Sequence, residues 1–183
     1  MIYTYILVAV IAIILIWLIA TFNSLIRRRN QVQEGWADID VQLKRRYDLI
    51  PNLMETVRGY MQHEDRVLTQ VTEARTLAMK AENADTRAQA ENALTGALKS
   101  LFAVAENYPD LKASANFLKL QDELSDTENK IQAVRRFYNG QVRDFNTAIQ
   151  VFPTNLIAST MGMKAFAFFE AGTEERENVQ VKF

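Results

Sequence analysis

The sequence predicts an all-α protein: an N-terminal transmembrane helix followed by an elongated up-and-down bundle of long antiparallel helices. Three observations carry this. The first 26 residues contain no Asp, Glu, Lys or Arg. Breakers are scarce, with six Gly and three Pro in 183 residues. Beyond the lead, apolar residues recur at 4-3 spacing, the repeat of a helix packed along a bundle or coiled coil.

The span is placed at residues 2–22, within an anchor of residues 1–26. From Ile2 to Phe22 the chain is almost wholly aliphatic and aromatic. At ~1.5 Å per residue such a helix covers ~30 Å, the thickness of a hydrocarbon core. Arg27, Arg28 and Arg29 follow at once, and no basic residue precedes the span. By the positive-inside bias the N-terminus faces out and the remainder stays cytoplasmic. Trp17 suits an interfacial position, as do Tyr3 and Tyr5. A cleavable signal peptide is the rival reading. It expects a basic leading region, which is absent, and a shorter apolar core, and Ala20-Thr21-Phe22 is a poor cleavage site because Phe22 is not small.

Residues 27–172 are read as the bundle domain, with helices at about 27–82, 86–107, 114–152 and 155–169, and 173–183 as a flexible polar tail. The first stripe is Val32, Trp36, Ile39, Leu43, then Ile50, Leu53, Val57, Tyr60, then Val67, Val71, Ala74 and Ala78. Pro51 sits inside it, yet the seam keeps register from Ile50 to Leu53, so a kink is expected rather than a turn. Asp85 is read as the N-cap of the second helix. That helix carries Ala90, Leu94, Ala97, Leu98, Leu101, Phe102 and Ala105, and Tyr108-Pro109-Asp110 breaks it. The third stripe is Phe117, Leu120, Leu124, Thr127, Ile131, Val134, Tyr138, Phe145, Ala148 and Phe152, and Pro153 ends it. A last apolar stretch holds Met161, Met163, Phe166, Phe168 and Phe169.

Helix lengths of ~90, ~33 and ~55–60 Å do not close into a tidy monomeric bundle. The membrane-proximal seam, Val32 to Leu43, then needs cover. Either like chains pack there as a homo-oligomer, or residues 156–169 fold back over it.

Composition excludes much. All 22 acidic residues and 18 of the 21 basic ones follow Arg29, a balance of −4, which is a poor match for nucleic acid. There is no Cys, hence no disulfide, thiol chemistry or Cys-ligated zinc. The single His, His63, stands beside Glu64 but lacks the Glu-x-x-His pattern of a di-iron bundle, since position 60 is Tyr. There is no Gly-rich phosphate loop and no G-x-S-x-G. The acidic pairs Asp38/Asp40, Asp122/Glu123 and Asp126/Glu128 read as solvated helix faces. No catalytic residue, metal site or cofactor is expected.

Polar residues on or beside the seams are the candidates for interaction or register. They are Arg46, Glu64, Asn129, Arg135, Arg136 and Asn139, together with Trp36, Pro51 and Tyr138. A buried charge in a helical seam fixes register at a cost in stability. Arg46 is the strongest of these, and Arg46→Leu is expected to raise thermal stability while scrambling assembly size.

The run Gly35-Trp36-Ala37-Asp38-Ile39-Asp40-Val41-Gln42-Leu43-Lys44-Arg45-Arg46-Tyr47-Asp48-Leu49-Ile50-Pro51-Asn52-Leu53 closely resembles the LemA family. So do Glu55-Thr56-Val57, Gly59-Tyr60, His63-Glu64, Tyr108-Pro109-Asp110-Leu111-Lys112-Ala113, Thr127-Glu128-Asn129-Lys130-Ile131, Arg135-Arg136-Phe137-Tyr138-Asn139, Phe145-Asn146 and Phe152-Pro153. Position 47 is Tyr where His would often be expected. The resemblance implies a bacterial inner-membrane protein with one span and a cytoplasmic helical bundle. It implies association with a membrane metalloprotease system, and no established enzymatic activity.

The function expected is therefore a single-pass membrane scaffold that self-assembles and organises membrane or envelope partners. Two alternatives stand beside it: lipid binding or membrane shaping through the Phe/Met segment at 163–169, and a hydrolase with an unrecognised bundle site.

Overall fold

The computed structural model describes residues 1–61 and 64–169. The reading of His63 and of the polar tail at 173–183 lies outside these residues. Six helices and no strand occur among them: α1 (Ile2–Arg58), α2 (Asp65–Lys80), α3 (Ala84–Ala105), α4 (Pro109–Lys112), α5 (Ala115–Gln150) and α6 (Thr154–Thr160). The chain divides into two compact units, and α1 and α5 each contribute to both.

The first unit comprises Met1–Asp38 and Arg136–Ala167. Its part of α1 begins with the apolar lead, a helix long and apolar enough to cross a membrane with none of that stretch buried. Ile2 and Phe22 are exposed, as are Arg27, Arg28 and Arg29. Beyond the arginines, α1 pairs antiparallel with the end of α5. Gly35 is buried, and a Cβ placed there would lie 3.4 Å from the Tyr138 backbone. The Trp36 and Tyr138 rings meet at 5.4 Å and 60°.

After α5 the expected terminal helix at 155–169 is cut short. It ends at Thr160, where Gly162 takes φ 62° and the Met163 N–H donates to Ala158 O while the Gly162 N–H donates to Ser159 O. That pattern is a Schellman stop, which needs a left-handed residue and so favours Gly. Residues 163–167 then run as irregular chain. Side chains of α5 supply the bonds that a helix would have made. Asn146 accepts from the Phe166 N–H (3.0 Å) and donates to Phe166 O (2.9 Å), and the Tyr138 hydroxyl donates to Ala167 O (2.9 Å). Phe166 lies edge-on to Phe145 at 5.2 Å.

The second unit comprises Ile39–Arg135 and the chain from Phe168. Here α1, α2, α3 and α5 form an up-and-down bundle around Ile50, Leu53, Val71, Leu94, Leu101 and Leu124, all buried. The expected single helix over 27–82 is interrupted. It stops at Arg58, and Tyr60 and Met61 both donate back to Val57 O before α2 starts at Asp65. Gly59 has the weakest helix propensity of any residue but Pro, and Met61 beyond it is buried. The stripe hid this break because each of the two helices carries one of its own.

Pro51, by contrast, breaks nothing: α1 passes through it with the ring exposed. A proline cannot donate to the carbonyl four residues back, here Tyr47 O. Arg75 Nε on α2 donates to that oxygen instead, at 2.9 Å. The α3 cap is Asn83 rather than Asp85: its side chain accepts from the Thr86 N–H at 2.9 Å. Tyr108-Pro109-Asp110 does end α3, but it opens the short helix α4, with Pro at its first turn.

The Val32–Leu43 seam is covered within the chain, with Val32, Ile39 and Leu43 at 0–1% exposure. The need for a second copy to cover it is therefore removed.

Candidate functional site

Within the second unit, one polar cluster is closed inside the bundle. Arg46 projects from the seam of α1 where the heptad repeat called for an apolar residue, and it is 1% exposed. Its guanidinium pairs with Glu91 of α3 and with Glu128 of α5, the latter at 2.5 Å, and it donates to Thr95 Oγ1 at 3.0 Å. Glu91 is 0% exposed and also accepts from the Tyr47 hydroxyl. Three helices thus converge on one cation.

Desolvation is the largest influence on Arg46 and lowers its pKa, opposed first by the field of Glu128. Arg135, itself buried, acts on Arg46 in the same direction as desolvation. Its guanidinium lies 4.5 Å over the Phe169 ring, within cation–π range. Arg46 and Arg135 balance Glu91 and Glu128 in formal charge, so the interior carries little net charge. Burial pushes the Tyr47 hydroxyl above its ordinary value of 10.0, and it remains a donor to Glu91 at neutral pH.

Two further pairs are more open to solvent. Arg87 pairs with Asp40, and Arg45 stands 4.0 Å from Asp126. Such pairs contribute little on their own, roughly 0–1 kcal/mol. Chemically, the arrangement holds three helices in one register, since sliding any of them by a turn strands a buried charge. Glu91 is sealed from solvent and committed to donors. No group of three or more His, Cys, Asp or Glu able to hold a metal occurs among the described residues.

Of the residues singled out from the sequence, Arg46 stands at the centre of this cluster and Arg135 adjoins it. Trp36 and Tyr138 meet each other in the first unit. The Glu64 carboxylate accepts a 3.3 Å bond from the Tyr108 hydroxyl. Asn129 and Arg136 face solvent, and Asn139 is half-buried. Glu91 and Thr95 were missed. The true α3 stripe is Ala88, Glu91, Leu94, Leu98, Leu101 and Ala105. Started at Ala88 rather than Ala90, the repeat lands on Glu91, a charge in a seam like Arg46.

The segment expected to offer lipid-inserting aromatics is largely used within the chain. Phe169 is 1% exposed and Phe166 is packed on Phe145, leaving Phe168 outward at 43%. Phe152, expected in the α5 core stripe, is 79% exposed, and Val142 takes a core place instead. The cause is that α5 ends at Gln150, before the stripe reaches Phe152.

These features define an all-α protein with one helix able to cross a membrane and a bundle pinned by an internal ion cluster. Residues 35–183 match the model of the LemA family. Protein LemA of Metamycoplasma hominis is 32% identical over 162 residues, covering 86% of this chain and 72% of that one. The chain belongs to the LemA family. It is also similar to Magnetosome protein MamQ 1 of Paramagnetospirillum magneticum, 22% identical with 84% of this chain and 66% of that one covered. The figures for Magnetosome protein MamQ of Magnetospirillum gryphiswaldense are 21%, 83% and 65%. The chain spans just under two thirds of the length of these magnetosome relatives.

Proposed function

We propose that this protein is a single-pass scaffold of the bacterial inner membrane, N-terminus outside and bundle in the cytoplasm. It self-assembles and organises envelope partners without catalysing a reaction. One observation carries the reading: α1 is a single helix from Ile2 to Arg58, so the span and the register-locked core share one helix with no linker. That continuity suits a bundle presented at the membrane surface. The arginines after the span support the orientation. Because the Val32–Leu43 seam is covered, copies meet through other surfaces. The exposed Val41, beside half-buried Leu49 on α1, is the apolar face this reading assigns to contacts. A membrane metalloprotease system belongs among the proposed partners, on family kinship alone.

Protease treatment of spheroplasts tests the orientation. The C-terminal bulk is expected to survive until the membrane is opened, and its loss from intact spheroplasts refutes the topology. In-membrane crosslinking tests assembly: ladders of multiples are expected, and monomers alone refute it. Val41→Asp is expected to reduce the ladder without changing helix content.

A further inference from the structure

We propose that a groove between α1 and the end of α5 is a binding site for an anionic phospholipid of the bilayer crossed by α1, with the α5–α6 corner dipping into the lipid. The proposal rests on the membrane-anchored reading above and assigns that membrane a specific contact.

Both walls belong to the first unit. Trp36 beside Tyr138 sets α5 antiparallel to α1, so the last turns of α5 run back towards the apolar lead. There a groove of about 690 Å³ opens between residues 20–28 of α1 and Arg143–Thr154. Its floor includes Leu25, which is buried, while Thr21, Ser24 and Thr147 offer hydroxyls. Arg28 and Arg143 supply two cations. Arg143 is offset by Asp144 at 3.1 Å, whereas Arg28 has no ion-pair partner among the described residues. The groove therefore carries one net positive charge, which suits a headgroup whose phosphodiester is its only charge over a zwitterionic one.

Position decides the occupant. The groove begins at Ala20 and Thr21, in the last turn of the span, so one of its walls is continuous with the lipid-facing helix. Arginines one and two turns beyond a hydrocarbon edge lie at the headgroup layer. The corner that closes the groove points apolar side chains outward: Val151 is 47%, Leu156 58% and Phe152 79% exposed. Such a cluster is costly in water and favourable in the interfacial layer, where aromatic rings concentrate. Acyl chains meet the corner while the phosphate meets the arginines.

The full chain in nanodiscs tests this, and the absence of Cys allows single labels. Spin labels at Ile14→Cys, Phe152→Cys and Gln33→Cys report depth through oxygen and a water-soluble nickel relaxant. Positions 14 and 152 are expected to favour oxygen, and position 33 nickel. Nickel access at 152 with 14 still immersed overturns the proposal and spares the anchor. Nickel access at both refutes the anchor itself. Spin–spin broadening at 152 means a second copy occupies the corner, which also overturns the proposal. In discs of equal phosphatidylglycerol and phosphatidylcholine, native mass spectrometry of the released protein is expected to retain phosphatidylglycerol several-fold over phosphatidylcholine. Arg28→Gln with Arg143→Gln is expected to abolish that preference with helix content unchanged. Equal retention by the native chain, or an unaltered preference in the double variant, overturns the site.

Discussion

Arg75 supplies the hydrogen that Pro51 lacks: its Nε donates at 2.9 Å to Tyr47 O, the carbonyl that residue 51 would bond in a regular helix. A defect in α1 is thereby turned into a fastening between α1 and α2. Arg75→Met is expected to lower stability by roughly 1.5 kcal/mol, the scale of a hydrogen bond from a charged donor. In a Pro51→Ala background the restored backbone N–H at position 51 takes over Tyr47 O, and the same change is expected to cost less than half as much. A double-mutant cycle by thermal melting measures the coupling, and additive effects would show that the two residues act independently.

Arg46 and Glu91 give the second prediction. The sequence alone predicts that Arg46→Leu stabilises, because a buried arginine in a seam is costly. With Glu91 at 0% exposure the sign reverses. Removing the cation strands a carboxylate, at a cost of ~3–5 kcal/mol and a fall in Tm on the order of 10 °C. The double change Arg46→Leu with Glu91→Leu is expected to recover most of the loss. A melt of Arg46→Leu at or above the native Tm would remove the cluster from any structural role.

Alkaline pH probes Tyr47. Burial raises its folded pKa above 10.0, so folding favours the neutral phenol. Its contribution is complete below the unfolded value of 10.0 and is lost as pH rises towards the higher folded value. Tyr138 is raised by burial in the same sense. Denaturant melts are expected to show stability falling above pH ~10, with a shallower slope in Tyr47→Phe. That variant should also lose ~1–3 kcal/mol at neutral pH, because its hydroxyl serves buried Glu91.

Two glycines should respond oppositely. A Cβ at Gly35 already reaches 3.4 Å from the Tyr138 backbone, so Gly35→Val is expected to push the helices apart and cost ~1–3 kcal/mol. At Gly96 a Cβ meets nothing within 4 Å, and Gly96→Ala is expected to add ~0.5–1 kcal/mol through helix propensity. Paired thermal melts check both.

Asn146→Ala removes both bonds to the Phe166 backbone. Amide exchange at residues 163–167 is expected to accelerate at least tenfold, the equivalent of ~1.4 kcal/mol of local opening, with the bundle helices unaffected. Unchanged exchange there would mean that packing of Phe166 alone holds the segment.

Helix, apolar lead and seam were legible because each is written in local spacing. An uncharged lead, a shortage of breakers and a 4-3 repeat need no tertiary information, and they located the core positions Ile39, Leu43, Arg46, Ile50 and Leu53 correctly. Where two helices carry stripes in phase, periodicity could not see the chain turn between them at Gly59. Nor could it see that α5 stops before Phe152.

The sequence by itself determined that the chain is helical, that its N-terminal helix suits a bilayer and that a charge interrupts the α1 seam. Only the tertiary structure decided what that charge meets. Arg46 finds Glu91 and Glu128, at 45 and 82 positions' remove, and Arg75 finds the carbonyl that Pro51 abandons. The physical reason is range. Helix propensity and amphipathic spacing act over a few turns, whereas the partner of a buried charge is chosen by which faces close together, and no local pattern encodes that choice.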